Sequence, residues 1–444
     1  MIGHERTEQL VKTILAYSRA EQTQVAINGE SLGLTRFSNN HIHQNLLRDN
    51  HTITIKVIDQ KRVGTATTNR LDDSSLHQAV DMALHNAQFQ KANPNLADLA
   101  DPRPVRKMDA LAQATLDQTP MDRAEATREI IGVATGRHLI ASGTYSNTLT
   151  ELAVANSRGV FAYHTGCSAL LRTIINNGDT TGYADQLNQD VSVINPRALA
   201  EEALWKATLQ EESFSIEPGE YDTVFESYAV ADLIRFLGMI AFGGLAVQEG
   251  RSFMAKSMGQ KVFADQVSIV DDAFDPRSLC QPFDNEGMPK VRVPIIENGV
   301  ARGVVYDRAT AHREGKESTG HSGHWGGPMP SHMILEGGDS DRDQMIRNTK
   351  RGILVTRFHY THCPEPMRVV ATGTTRDGTF LIENGEITRR LKNLRFTESM
   401  IRAFANVEAI SRETRLTRDW WSTFISVLPA VKINGFTFTG STTF

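Results

Sequence analysis

The stretch "HREGKESTGHSGHWGGPMPSH" carries four of the chain's fourteen histidines, His312, His321, His324 and His332, with Glu314 and Glu317 among them. Imidazoles and carboxylates hold transition metals, and a metal-bound water is a ready nucleophile for hydrolysis. The spacing here argues against a preformed centre. His321 and His324 form HxxH, but Gly320, Gly323, Gly326, Gly327, Pro328 and Pro330 surround them, so no helix sets the two rings on one face. A loop must lose chain entropy to gather such ligands. A second cluster, "FHYTHCPEPM", adds His359, His362 and Cys363. On a strand, His359 and Cys363 share a face and His362 points away. One reading is a metal site built from His321, His324, His359 and Cys363. The other is a Gly-rich, substrate-facing loop and a plain strand that breaks at Pro364.

Other catalytic signatures are missing. The only His-Glu dipeptide is His4-Glu5, and position 8 is Glu, so H-E-x-x-H does not occur. "TGHSGHWGG" lacks the G-x-S-x-G pattern of a nucleophile elbow. Neither a Walker A loop nor G-x-G-x-x-G is present.

The elements that must position these residues come from a chain of 444 residues. Single cores rarely grow past roughly 250–300 residues, so two or three domains are expected. Hydrophobic residues at 40% and charged residues at 22% are those of a folded globular protein. A formal net charge of −5 argues against a nucleic-acid surface. Cys167, Cys280 and Cys363 form no CxxC pair and no even framework, which fits a reducing compartment. The N-terminal "MIGHERTEQLVKTILAYSRA" has Glu5 and Glu8 where a signal peptide would be apolar. Its Leu10, Val11, Ile14 and Leu15 predict an amphipathic helix instead. The most apolar stretch, Ala229 to Val247, contains Asp232 and Arg235 and reads as a buried helix rather than a membrane span. The expectation is a cytoplasmic protein without membrane or nucleic-acid partners.

Asn28-Gly29 suggests an early tight turn, and alternation over 52–57 predicts a half-buried strand that turns at Asp59 to Arg62. Residues 71–91 predict a helix with Asp or Ser near its N-cap and Leu76, Val80, Met82, Ala83 and Ala87 inward. "ANPNLADLADPRPVRKM" reads as a surface connection. A helix over 121–138, strands over 144–184 and a helix near 196–210 follow. Pro218-Gly219 marks the main boundary, giving domains 1–217 and 218–444, with a sub-boundary near 92–120. In the second half, Asn298-Gly299, Asn384-Gly385 and Asn434-Gly435 each stand between apolar runs and predict three hairpins. The two "IENG" copies read as convergent turn chemistry because their flanks differ. A helix starting at Thr397 as N-cap is expected over "FTESMIRAFANVEAIS". The pattern predicts α+β: an N-terminal two-layer sandwich, then a mainly antiparallel sheet or partial barrel with helices.

Several segments in order resemble the TldD/PmbA family, whose members have been described as modulators of DNA gyrase. They are "LTRFSNNHIHQN", "ITIKV" and "VGTATTNRLDDSSLHQAVDMA" in the first half, then "FMAKSMGQKVF", "RATAHREGKESTGH", "ILVTRF" and "TGTTRDGTFLIENGEITRRLKNLRFTESM". The resemblance implies a two-subunit zinc metalloprotease. Its TldD-type subunit carries H-E-x-x-x-H on a helix and a late cysteine ligand; its PmbA/TldE-type subunit lacks them. Leader peptides and small unfolded polypeptides are the implied substrates. Counted without gaps from Ser257, the motif falls on Arg235 to Ile240, which holds neither histidine nor glutamate. No cysteine follows Cys363, and no histidine lies between 165 and 311. The resemblance therefore implies a non-catalytic PmbA/TldE-like subunit with no cofactor of its own, zinc being in a TldD-like partner. "ESTGHSGH" then shapes a cavity or subunit contact. The strand edge near "ILVTRFHY" would receive extended peptide, with Thr356, Arg357, Phe358, His359 and His321 as its wall. Two rivals stand beside this reading: a self-sufficient metal peptidase using the histidine loop with Cys363, and a homodimeric peptide-binding protein.

Overall fold

The computed structural model describes residues 1–209, 212–323, 326–418 and 424–442. Its strands form two sheets, of six and twelve strands among the described residues, and the fold is α+β.

The first half contains α1 (His4–Tyr17), β1 (Gln22–Ser38), β2 (His41–Asp59), β3 (Arg62–Thr68) and α2 (Asp73–Gln88). It continues with α3 (Gln113–Leu116), α4 (Pro120–Thr135), β4 (Ile140–Asn156), β5 (Phe161–Asn177), β6 (Thr180–Asn188) and α5 (Pro196–Thr208). The sheet order β3-β2-β1-β4-β5-β6 is symmetric about the β1/β4 pair. A helix–three strands–helix unit thus occurs twice, over 4–88 and 120–208. The same close approach recurs in both copies. Gly64 of β3 lies under Ala83 and Ala87 of α2, and Gly182 of β6 lies under Ala203 and Ala207 of α5. Local chemistry sets the ends. Asp72 caps α2 by accepting from Ser75 N at 3.1 Å. Thr119 and Asp122 form a capping box on α4, with Pro120 in its first turn.

Alternation puts Val25, Ile27, Ile53, Ile55 and Val57 against α1 and α2. The other face of the sheet meets the second half through Val154, Ala162 and Phe283.

The hairpin readings divide. The Asp59–Arg62 turn forms with Gln60 and Lys61 at φ 49° and 58°. Asn28-Gly29, however, lies inside β1, and the turn comes at Asn39-Asn40 with φ 51° and 62°. Gly29 serves packing instead: a Cβ there would stand 2.9 Å from the His51 ring and 3.2 Å from Glu151 Cβ. Met82, expected inward, is 46% exposed. The proline-bearing stretch is more than a surface connection. Leu99, Ala100 and Ala110 are buried on the helix-free side of the sheet, and Asn156 Nδ2 donates to Ala100 O at 2.8 Å. Isolated apolar residues without a period gave no sign of that burial.

The second half runs β7 (Ser213–Phe214), β8 (Gly219–Phe225), α6 (Ser227–Ala241), α7 (Gly244–Gln248), α8 (Met254–Ser257), β9 (Ile269–Asp271), β10 (Val293–Glu297), β11 (Val300–Ala301) and α9 (Arg308–Arg313). Then come β12 (His332–Leu335), α10 (Arg342–Arg347), β13 (Arg351–Glu365), β14 (Val370–Glu383), β15 (Glu386–Leu391), β16 (Leu394–Ser399), α11 (Met400–Ala405), β17 (Val407–Arg418) and β18 (Ile425–Ser441). The sheet closes on itself. β18 pairs β8, β8 pairs β13, β13 pairs β14, β14 pairs β16, and β16 returns to β18. Closure of these strands encloses aromatic side chains: Phe225 and Phe436 lie 4.8 Å apart by ring centroid, and Phe358 and Phe396 4.4 Å apart. The apolar stretch around Ala229 forms α6, with Leu233 and Leu237 fully buried. Among the described residues no helix is long and apolar enough to cross a membrane.

Asn298-Gly299 and Asn384-Gly385 turn as expected, all four residues having positive φ. Asn434-Gly435 does not turn the chain. It is an irregularity inside β18, where the register with β8 slips between Ile433 and Phe436 and Gly435 takes φ 63°. Thr397 lies on β16; the short helix α11 starts three residues on, capped by Ser399. The chain after Asn406 is strand, because its pairing with β18 overrides local helix preference.

Candidate functional site

Among the cavities along the seam between the halves, two gather candidate site residues. The first, about 250 Å³, is lined from the first sheet by Arg172, Tyr183 and Asp185, from α6 by Tyr228 and Asp232, and from β13 by Arg357 to Thr361. β13 makes this wall because its neighbours change along its length. From Gly352 to Val355 it pairs β8 on one side and β14 on the other. Beyond Val355 it keeps β14, while its other side meets the cavity and α6. There Thr361 Oγ1 accepts from Arg235 Nη2 at 2.8 Å and lies 3.2 Å from Asp232 Oδ1.

The structure gathers some of the sequence-derived site residues and separates others. Arg357, Phe358 and His359 line the first cavity; Thr356 does not. Thr356 is fully buried beside Gly378. Arg357 pairs with Asp377, Nε to Oδ2 at 2.6 Å, and covers the Tyr183 ring at 4.5 Å. Phe358 points into the aromatic interior. Burial, then the nearby Arg376 and Arg357 charges, push the His359 imidazole below its usual range. Cys363 packs at the edge of the main core, and burial pushes its thiol up. His321 belongs to the second cavity. Both its nitrogens are engaged, Nε2 with Asp271 Oδ1 at 2.7 Å and Nδ1 with Thr319 Oγ1 at 2.9 Å. His324 lies outside the described residues. Among the described residues no three His, Cys, Asp or Glu side chains gather to hold a metal, so His321, His359 and Cys363 stay apart. Sequence reading missed Asp232, Arg235 and Tyr228 as site residues. Their signal was present: two charges in an otherwise apolar helix.

At the place of H-E-x-x-x-H implied by the resemblance, α6 offers a guanidinium. Arg235 is 6% exposed, bonds to Asp232 Oδ1 at 3.3 Å and Thr361, and stacks 4.4 Å over Phe236. A guanidinium has donors only and repels a cation. The residues here do not fit a zinc ion.

The second cavity, about 440 Å³, lies between the helix-free face of the first sheet and the loops around Asp284 and Ser331. Asp271 organises it: Oδ2 accepts from Ser331 N at 2.7 Å and His332 N at 2.8 Å. Burial opposes its charge, yet His321 and Lys290 hold the Asp271 carboxyl well below the usual range. The loop 284–288 reaches across to the first sheet. Gln24 Nε2 donates to Asn285 O at 3.0 Å, and a Cβ on Gly287, at φ 74°, would stand 2.7 Å from Val160 Cγ1. Burial, with the Asp284 charge, raises Glu286 in this loop from 4.5 to about 7. Its folded value lies above its unfolded one. The proton it holds stabilises the fold fully below about 4.5, and that stability is lost as pH rises through about 7. The shift corresponds to about 3 kcal/mol. We expect Glu286→Gln to gain stability over the wild type at pH 8 and to match it near pH 4.5, measured by urea unfolding across that range. Parallel stability curves for the two proteins would refute the assignment.

The chain is thus α+β, with a duplicated first sheet and a second sheet that closes on itself and packs against an apolar helix. A model described as PmbA/TldA metallopeptidase C-terminal domain matches residues 218–440, and PmbA/TldA metallopeptidase domain 1 matches 31–87. The chain belongs to the PmbA/TldD family. It is 26% identical over 275 residues to an uncharacterized protein of Methanocaldococcus jannaschii; the match covers 61% of this chain and 63% of that relative, under two thirds of its length. It is 21% identical to Metalloprotease PmbA of Escherichia coli O157:H7, covering 86% of this chain and 85% of that one. The fold is shared with TldE from Thermococcus kodakarensis, at TM-score 0.88 and 20% identity over 98% of this chain and all of that one. It is shared too with a candidate modulator of a DNA gyrase from Thermotoga maritima, at TM-score 0.85 and 18% identity over 98% of this chain and all of that one. Relatives named metalloproteases imply a metal, zinc by the resemblance, in the family.

Proposed function

We propose that this chain is a PmbA/TldE-like, non-catalytic subunit that works in the cytoplasm with a TldD-like, zinc-bearing partner on leader peptides or small unfolded polypeptides. The observation that carries the reading is Arg235. A buried, ion-paired guanidinium stands where the resemblance puts the first zinc ligand, and among the described residues Cys363 belongs to no group of three metal-ligating side chains. The seam cavity supplies the substrate part of the proposal. The side of β13 past Val355 not paired with β14 opens into it, and an extended peptide there is read through its backbone. Domains of 1–217 and 218–444 belong to the same reading. The strands of the first sheet end at Asn188, and apart from β7 all strands of the second begin at Gly219 or later.

The test is metal content and activity. The purified chain should carry no stoichiometric zinc by mass spectrometry and cleave no unfolded peptide alone, but it should form a complex that cleaves when a TldD-like chain from the same genome is added. Zinc held tightly by the chain alone, and lost in His359→Ala or Cys363→Ala, would instead make it a self-sufficient peptidase. A stable homodimer that holds peptide and ignores any such partner would favour the binding-protein rival.

A further inference from the structure

The second cavity holds a serine and a lysine that the subunit reading does not use. Lys290 lies in the loop before β10, anchored by its amide donating to Pro282 O at 3.0 Å. Ser331 directly precedes β12 and is pinned at both ends of its peptide, its N–H on Asp271 and its carbonyl accepting from Ile425 N at 3.0 Å. The two side chains meet. Lys290 Nζ donates to Ser331 Oγ in a very short contact, Ser331 Oγ lies 2.9 Å from His332 Nδ1, and Lys290 Nζ lies 3.5 Å from the same nitrogen. Lys290 is 6% exposed, and its partners are a hydroxyl and a ring nitrogen rather than a carboxylate. Both Lys290 and Ser331 line the cavity.

We propose that Ser331 is a nucleophile and Lys290 its general base in an acyl-transfer site that takes small esters or amides. A hydroxyl held against a desolvated amine, with a third group orienting the pair, is the arrangement that activates a serine. Three surrounding facts choose the base. Burial pushes the Lys290 amine down, against the pull of Asp271 and Asp284. Burial above all holds His332 to about 3, so its ring stays neutral and orients the hydroxyl rather than taking its proton. Burial lifts the Cys280 thiol to about 11, which leaves it protonated and unreactive.

The step balances within these groups. Ser331 Oγ bonds to the acyl carbon, the Oγ proton passes to Lys290 Nζ, and the bond from the acyl carbon to the leaving oxygen or nitrogen breaks as that atom takes the proton from Nζ. Water then attacks the acyl-serine, releases the acid and restores the hydroxyl. The apolar walls from Ala26, Leu152 and Phe283 suit a small acyl chain. This inference is independent of the subunit reading, since it needs neither zinc nor a partner.

The experiment treats the full chain with a short alkyl fluorophosphonate and, separately, with p-nitrophenyl acetate. Wild type should be labelled at Ser331, located by peptide mass spectrometry, and should release a stoichiometric burst of nitrophenolate. Ser331→Ala should lose both. Lys290→Met should label at least about a hundredfold more slowly, as expected when a general base is removed. The wild-type labelling rate should rise with pH as the amine loses its proton. The groups facing that amine are Asp271 of β9, Cys280 and Asp284 of the following loop, and His332 of β12. Ser331→Ala removes a single oxygen and keeps the test valid if Lys290→Met does not fold. Wild type that reacts with neither reagent at Ser331, or a folded Lys290→Met that labels as fast as wild type, overturns the proposal.

Discussion

Lys206→Met should destabilise the protein by about 3–5 kcal/mol, because removing one partner of a buried ion pair leaves the other charge uncompensated. Lys206 lies on α5 with no solvent exposure. Its ammonium is 2.8 Å from Glu202 Oε1 and 2.7 Å from Glu226 Oε2, and donates to Tyr183 O at 3.1 Å. Glu226 belongs to the second half and immediately precedes α6, so the lysine ties the duplicated sheet to the helix beside the first cavity. Arg342 reaches Glu226 at 2.9 Å, and Arg415 reaches Glu202 at 3.3 Å. Burial opposes the Glu202 charge, but Lys206 and Arg415 hold its carboxyl down to about 2. That value is depressed, so its contribution is present above about 4.5 and fades as pH falls towards about 2. In Lys206→Met the acid limb of the stability curve should shift to higher pH. Adding Glu226→Gln should recover part of the loss, since the orphaned charge goes with it. Urea unfolding of the single and double variants reads this directly. A single variant within about 1 kcal/mol of wild type would show that Arg342 and Arg415 suffice, as exposed pairs commonly allow.

The second large effect is steric. Gly182→Ala puts a methyl 2.0 Å from Ala203 O and 2.6 Å from Ala207 N, both backbone atoms of α5. Gly64→Ala does the same against α2, at 2.0 Å from Ala83 O and 2.5 Å from Ala87 N. Neither contact is with a flexible side-chain end, so a whole helix must lift from its sheet. Overpacking of this kind costs about 1–3 kcal/mol, and the backbone contact puts both variants at or above the top of that range. A drop in urea midpoint for both is expected. An unchanged midpoint in either would mean that the helix sits further out than described.

Much of the fold was legible because it is written in local chemistry. Asp72 before an apolar-periodic run, and Asn-Gly at 298–299 and 384–385, each carry their own physical reason. The same Asn-Gly pair misled at 28–29 and 434–435. A dipeptide that permits positive φ does not demand a reversal when long neighbours pair it on both sides, as β2 and β4 pair β1. Gly435 keeps the positive φ and loses only the turn. Met82 was misplaced because its helical position borders the inward face. The duplication was invisible: what repeats is a glycine facing two alanines four residues apart, not a string of letters. The second cavity was hidden for a related reason. Asp271, Lys290, His321 and Ser331 come from separate loops and strand ends, and no spacing rule joins them. A further site signal in the sequence was Asp232 and Arg235 in an apolar helix, first taken only as evidence against a membrane span.

The duplicated unit also bears on how the chain is made. Residues 4–88 complete one copy, but the inner edge of its sheet is β1, whose fourteen backbone partners from Asn156 to Gly143 lie on β4. At synthesis rates of about 5–20 residues per second, roughly 3–14 s separate the emergence of the first copy from that of β4. Over that interval a finished half-sheet offers an unpaired strand, and an identical nascent chain on the same message offers the same one. Glu30 and Arg36 are the charges stationed along that edge. In the folded protein Glu30 keeps an exposed pair with Arg48 and Arg36 a contact with Gln44, each worth little to stability, so a fault there should appear mainly as aggregation during expression and barely move the melting curve of the purified protein.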